Sequence, residues 1–98
     1  MLDVALKGLQ DWYQANTNGV WEHQHGVAIS TLDNPGWSVR IDLVETRLEN
    51  RPFAHVARQG DCEHDWINCQ VKDFEFQGFG GPQNLEEILL VFLEWASS

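Results

Sequence analysis

Asp33-Asn34-Pro35-Gly36-Trp37-Ser38-Val39-Arg40-Ile41-Asp42-Leu43 is the stretch that decides how this chain folds. Its first four residues are turn formers. Asp and Asn bond nearby backbone, Pro fixes φ, and Gly accepts backbone angles closed to other residues. The next seven alternate without a slip. Trp37, Val39, Ile41 and Leu43 fall on one side, and Ser38, Arg40 and Asp42 on the other. That is the pattern of a strand with one buried and one wet face. Before the turn, Trp21, His23, His25, Val27 and Ile29 alternate with Glu22, Gln24, Gly26, Ala28 and Ser30, which predicts a strand over residues 20–32. The turn then joins the two strands in an antiparallel hairpin.

Towards the N-terminus, residues 3–15 read as an amphipathic helix. Leu2, Leu6, Leu9 and Tyr13 form its stripe, flanked by Ala5 and Trp12, and Asn16-Thr17-Asn18-Gly19 stops it. Towards the C-terminus, residues 45–52 are charged and contain Pro52, and are expected to loop. Phe53 to Arg58 reads as a short strand, Gln59 to Asp65 as an acidic loop, and Trp66 to Val71 as a strand. Lys72 to Glu75 turns, and Phe76 to Phe79 adds a short fifth strand. Asn84 and Glu87 stand at the spacing of a capping box before a helix over Leu85–Ala96. The buried stripe of that helix is Leu85, Ile88, Leu89, Phe92 and Trp95 or Ala96. The expected architecture is α+β, residues 1–98 forming one domain. A single antiparallel sheet of four or five strands carries the N-terminal and C-terminal helices on one face. Its other face stays open.

Composition narrows the function. Fifteen acidic residues against six basic ones give a formal net charge of -9. Binding to nucleic-acid backbones or anionic membranes needs Lys and Arg, so neither is expected as a partner. A basic protein is the complementary partner. Met1-Leu2-Asp3-Val4 lacks the basic region and apolar run of a secretory signal, and no apolar stretch approaches the ~20 residues of a membrane helix. Cys62 and Cys69 make no disulfide framework and are expected as free thiols in a reducing cytoplasm.

Four groupings could carry chemistry. His23 and His25, two apart on a strand, would share a face, but zinc wants further ligands. Cys62, His64 and Cys69 match no standard metal spacing. Cys62 as a nucleophile would sit among Asp61, Glu63 and Asp65, whose charges disfavour the thiolate such chemistry needs. Gly78-Phe79-Gly80-Gly81 lacks the Lys of a phosphate-binding loop, and Glu86 and Glu87 would repel phosphate. No cofactor is expected. The enzyme alternative is a small metal-dependent catalyst using His23, His25 and His64; a further alternative is a general protein-interaction module.

Several stretches together carry a family likeness. They are Leu9-Gln10-Asp11-Trp12-Tyr13, Trp21-Glu22-His23, Thr31 to Val39 with Ile41-Asp42-Leu43, Asp65-Trp66-Ile67 with Cys69, and Gly80-Gly81-Pro82 followed by Asn84-Leu85-Glu86-Glu87-Ile88-Leu89. With these the chain resembles the immunity protein 53 family of bacterial polymorphic-toxin systems nearly end to end. Phe74 departs from expectation, standing where a small turn residue belongs. The resemblance implies a non-enzymatic cytoplasmic antidote that binds and blocks a cognate toxin, and it brings no catalytic residues. Charge points to a basic, nuclease-type toxin domain. The expected contacts are Asp61, Glu63 and Asp65 in the acidic loop and Arg40 and Asp42 on the polar sheet face. Trp66 and Trp21 are the expected exposed aromatic anchors. Oligomeric state is left open.

Overall fold

In the computed structural model, residues 4–98 are described. Helix α1 (Val4–Asn16) is followed by a 3-10 turn (Trp21–His23) and the strands β1 (Val27–Leu32), β2 (Gly36–Asp42), β3 (Val56–Gln59), β4 (Trp66–Lys72) and β5 (Glu75–Gly80). Helix α2 (Leu85–Ala96) closes the order. The strands form one five-stranded sheet in the order β1-β2-β5-β4-β3. Every pairing in it is antiparallel. The expected α+β architecture is the observed one.

Register assigns the two faces. Val39 and Ile41 of β2, Phe76 of β5, and Ile67 and Cys69 of β4 lie in neighbouring rows of one face, and all are buried. The core-facing row of β5 reads Phe76-Gly78-Gly80, and the glycines matter here. A Cβ on Gly78 would collide with Ile88 of α2. Glycine therefore lets the helix settle on the middle of the sheet. Ile88, Leu89, Phe92 and Ala96 are its buried stripe. Phe92 meets Phe76 at a centroid distance of 5.1 Å and Trp12 of α1 at 5.1 Å, both edge-on.

Helix α1 packs beside α2 with a face rotated from the expected stripe, centred on its flanking residues Ala5 and Trp12 and keeping Leu9. Ala5 and Leu9 are buried and Trp12 packs on the core, whereas Leu6 and Tyr13 are exposed; Leu2 lies outside the described residues. The reason is Gly8. A Cβ there would stand 2.7 Å from Leu93 Cδ1, so Ala5, Gly8, Leu9 and Trp12 form the side that lets the two helices approach.

Further expectations are corrected. The first strand begins at Val27, not at residue 20. Asn18 and Glu22 each satisfy nearby backbone donors: Asn18 Oδ1 accepts from the N–H groups of Val20 and Trp21, and the Glu22 carboxylate accepts from those of Asn18 and Gly19. That local network winds residues 21–23 into a 3-10 turn and takes His23 and His25 off any strand. It also carries Trp21 inside, where it is 2% exposed and donates from Nε1 to Val44 O at 2.8 Å. Trp21 is therefore a core residue and no exposed anchor.

The third strand begins at Val56 rather than Phe53. Phe53 is held instead by edge-on packing against Phe76 and Trp95. The charged 45–52 segment loops as expected, and it is tied to the core and to α2. Leu48 is buried, Arg47 donates to Ala96 O, and Arg51 donates to Trp95 O and Ser98 O. Helix α2 has no basic residue in its own last turn. These arginines supply the donors and positive charge its C-terminal carbonyls call for.

The expected capping box does not form, because Asn84 makes no side-chain bond to the helix N–H groups. Asn84 Nδ2 donates to Asp65 and Glu87, and Arg58 grips both oxygens of Glu87 at 2.8 and 2.7 Å. A bidentate guanidinium outcompetes a neutral backbone donor for that carboxylate.

Candidate functional site

The face of the sheet opposite α2 has no element packed over it among the described residues. Register places Ser38, Arg40 and Asp42 of β2 there, with Glu75, Gln77 and Phe79 of β5 and Trp66, Asn68 and Gln70 of β4. Arg40 is exposed as expected, and Asp42 is half-buried. Ser38, also expected to be wet, is buried at 6%. It is a small side chain in the row shared with Ser30 and Phe79.

The polar side chains of this face are bound to one another across strands. Arg40 Nη1 pairs with Glu75 Oε1 at 3.2 Å, Gln77 Nε2 donates to the same oxygen at 2.8 Å, and Gln70 Nε2 donates to Gln77 Oε1 at 3.0 Å. Arg40 also stands 5.8 Å above the Phe79 ring. Cross-strand pairs of this kind hold the side chains of the face in place. At one corner of this face lies an open concavity of about 320 Å³ bordered by His25, Arg40, Asp42 and Glu75. At the other lies one of about 240 Å³ bordered by Gln59, Trp66 and Asn68.

The acidic residues 61–65 form the tip of the β3–β4 hairpin. Asp61, Cys62 and Glu63 are exposed there. Asp65 is engaged differently. It pairs with Arg58 at 2.8 Å and accepts from Asn84 at 3.0 Å, and its backbone carbonyl accepts from Gly60 at 2.7 Å. The Arg58 hydrogen bond, aided by Asn84, holds the Asp65 carboxyl below its ordinary range. Asp65 thus fastens the loop to β3 and α2, while Asp61 and Glu63 stay exposed, Glu63 with His64 Nε2 at 3.4 Å from its carboxylate. Trp66, just behind the loop, is half-buried.

The histidines are scattered. His23 and His25 lie beside β1 and His64 in the β3–β4 hairpin, and β1 and β3 are opposite edges of the sheet. Among the described residues, no group of three or more His, Cys, Asp or Glu is placed to hold a metal ion. The two cysteines are free. Cys69 is fully buried beneath α2, and burial pushes its thiol up to about 11. Cys62 is exposed. The cross-strand chain from Arg40 to Gln70 escaped the sequence reading, whereas the turn expected over Lys72 to Glu75 is the hairpin tip Asp73-Phe74. Both residues of that tip have positive φ, 56° and 62°, and Phe74 is half exposed. A two-residue hairpin demands such angles, and Gly or Asn normally supplies them.

The chain is thus a two-layer domain with one sheet face roofed by helices, the other open, and an acidic loop at its rim. The family model for immunity protein 53 matches residues 6–97, and the chain belongs to that family. Among curated proteins and solved structures, no match to the chain was found. Among the described residues, no helix is long and apolar enough to cross a membrane.

Proposed function

We propose that this chain acts as one domain in the cytoplasm, as an immunity protein that binds a basic, nuclease-type toxin domain and blocks it without catalysis. The observation that carries this reading is the family match over residues 6–97. The net charge of -9 adds the basic character of the partner, since complementary potentials speed encounter and suppress wrong partners. Asp61 and Glu63 make charged contacts from the loop, with Asp65 holding that loop in place. Arg40 and Asp42 contribute from the open sheet face, and Trp66 is the aromatic anchor.

The test pairs survival on toxin co-expression with stopped-flow association. Charge should act on the approach more than on the bound complex. Raising salt then slows association while dissociation changes little. Asp61→Lys combined with Glu63→Lys weakens protection while the domain stays folded. Full protection and unchanged association by that variant would remove the loop from the interface. A wild-type chain that neither binds nor protects would remove the function.

A further inference from the structure

The sheet has two edges, and they are guarded unequally. The β3 edge is four residues long and carries Arg58. The β1 edge, Val27-Ala28-Ile29-Ser30-Thr31-Leu32, pairs with β2 residue for residue and without a bulge. It holds no charge and no proline, and its four middle residues are exposed. Folded proteins normally blunt such an edge with Lys, Pro, a bulge or a cover. Here there is no Lys or Arg anywhere from residue 8 to residue 39.

The direction of the free backbone groups follows from the ladder. Asp42 N–H donates to Gly26 O. Bonding alternates along an antiparallel pair, so Ala28, Ser30 and Leu32 bond to β2. Val27, Ile29 and Thr31 then turn their N–H and C=O groups outward. Charge decides what fits against them. Glu22 and Asp42 flank the start of β1 and Asp33 follows its end; Arg40 and Glu75 border the same concavity and are paired with each other at 3.2 Å. A second copy would bring a like-charged surface of net charge -9 against this one, which like-charge repulsion opposes.

We infer that β1 is a docking edge to which a cationic, extended segment of the toxin adds as a sixth strand. Main-chain bonds to Val27, Ile29 and Thr31 supply affinity, and Glu22, Asp42 and Asp33 select positive side chains. This rests on the immunity reading and names how the partner is gripped. The acidic hairpin and the β1 edge lie four strand spacings apart, roughly 19 Å. A standard interface of roughly 800 Å² per partner spans both.

The experiment uses the full ¹⁵N-labelled chain and an end-capped heptapeptide alternating Lys and Val, with a Glu/Val peptide as control. Amide exchange is followed residue by residue. The Lys/Val peptide is expected to slow exchange at Val27, Ile29 and Thr31 by roughly tenfold or more, while the Glu/Val peptide leaves them unchanged. Slowing elsewhere only, equal slowing by both peptides, or concentration-dependent self-pairing through β1 overturns the inference. Ile29→Pro removes an outward donor without touching the β2 ladder, and should abolish the protection of Val27 and Thr31. Thr31→Lys repels a cationic strand and does the same if the proline variant fails to fold. Survival on toxin co-expression separates the two readings. A wild-type chain that protects, beside an Ile29→Pro or Thr31→Lys chain that folds and protects equally well, overturns the docking edge and leaves immunity standing. A wild-type chain that gives no protection overturns immunity, and the edge as a toxin grip with it.

Discussion

The same three strands present two unlike faces, and the contrast separates what holds this protein together from what it can offer a partner. Beneath α2, β2, β5 and β4 bury Val39, Ile41, Phe76, Ile67 and Cys69 against a helix admitted by Gly78. On the reverse, alternate residues of those strands make a bonded layer of Arg40, Glu75, Gln77 and Gln70. The first face gains from exclusion of water and close packing. The second stays wet and gains order through hydrogen bonds of small net worth.

The contrast breaks most directly at Ile41, which is fully buried. Ile41→Ala is expected to cost about 2–5 kcal/mol in urea unfolding, the range for emptying a packed site. A loss under about 0.5 kcal/mol would mean the covered face is not the core. Next comes Gly78→Ala. Its new methyl meets Ile88 and lies 3.0 Å from Phe76 Cε2, so overpacking of about 1–3 kcal/mol is expected. A neutral result would show that α2 can lift from β5 freely.

Phe74→Gly works in the other direction. At φ 62° a bulky side chain is costly, and relief of the left-handed conformation should raise stability by about 1 kcal/mol. A loss instead would show that the half-exposed ring contributes packing at the tip.

Acid gives a shallower effect. Asp65 is lowered chiefly by Arg58, and Glu22 by backbone N–H groups, its own first and then that of Asn18. Both carboxyls have depressed folded values. Their stabilisation is complete above the ordinary unfolded value near ~4 and is lost as pH falls through the lower folded values. Melting temperature should therefore drop over that acid range, and the drop should flatten in Arg58→Ala. The smallest stability effect belongs to Arg40→Ala, expected within about 0.5 kcal/mol of wild type. The same variant is expected to weaken toxin binding, so a large stability loss with intact binding would invert the roles of the two faces.

Much of the covered face was legible beforehand, and the reasons are local. Val39, Ile41 and Leu43 alternate cleanly, and Ile88, Leu89, Phe92 and Ala96 recur at helical spacing, so period alone found both. Period misled at residues 21–25, where Trp and His alternate by chance. The hydrogen bonds that Asn18 and Glu22 accept from the local backbone are a stronger instruction there. In α1 the reading found Leu9, Ala5 and Trp12, but large apolar side chains drew the stripe toward Leu6 and Tyr13 and away from Gly8, where Leu93 packs. The candidate site was less legible, because its pairings are distant in the chain. Asp65 is claimed by Arg58, Asn84 lies 19 residues beyond it, and Trp21 finds its carbonyl partner 23 residues away. Residue type alone showed none of these.

The strand order has a kinetic consequence. β1–β2, β3–β4 and β4–β5 join neighbours through short connections, yet the central pair is β2 with β5. Even its tightest point, Asp42 opposite Glu75, closes a loop of roughly thirty residues, and that entropy is spent before the seam returns any contact. Two hairpin units can therefore form early and wait. The rate at which the chain becomes native is set where they meet, along Val39, Ile41, Phe76 and Gly78, and a newly made molecule exposes its apolar face for as long as that meeting takes.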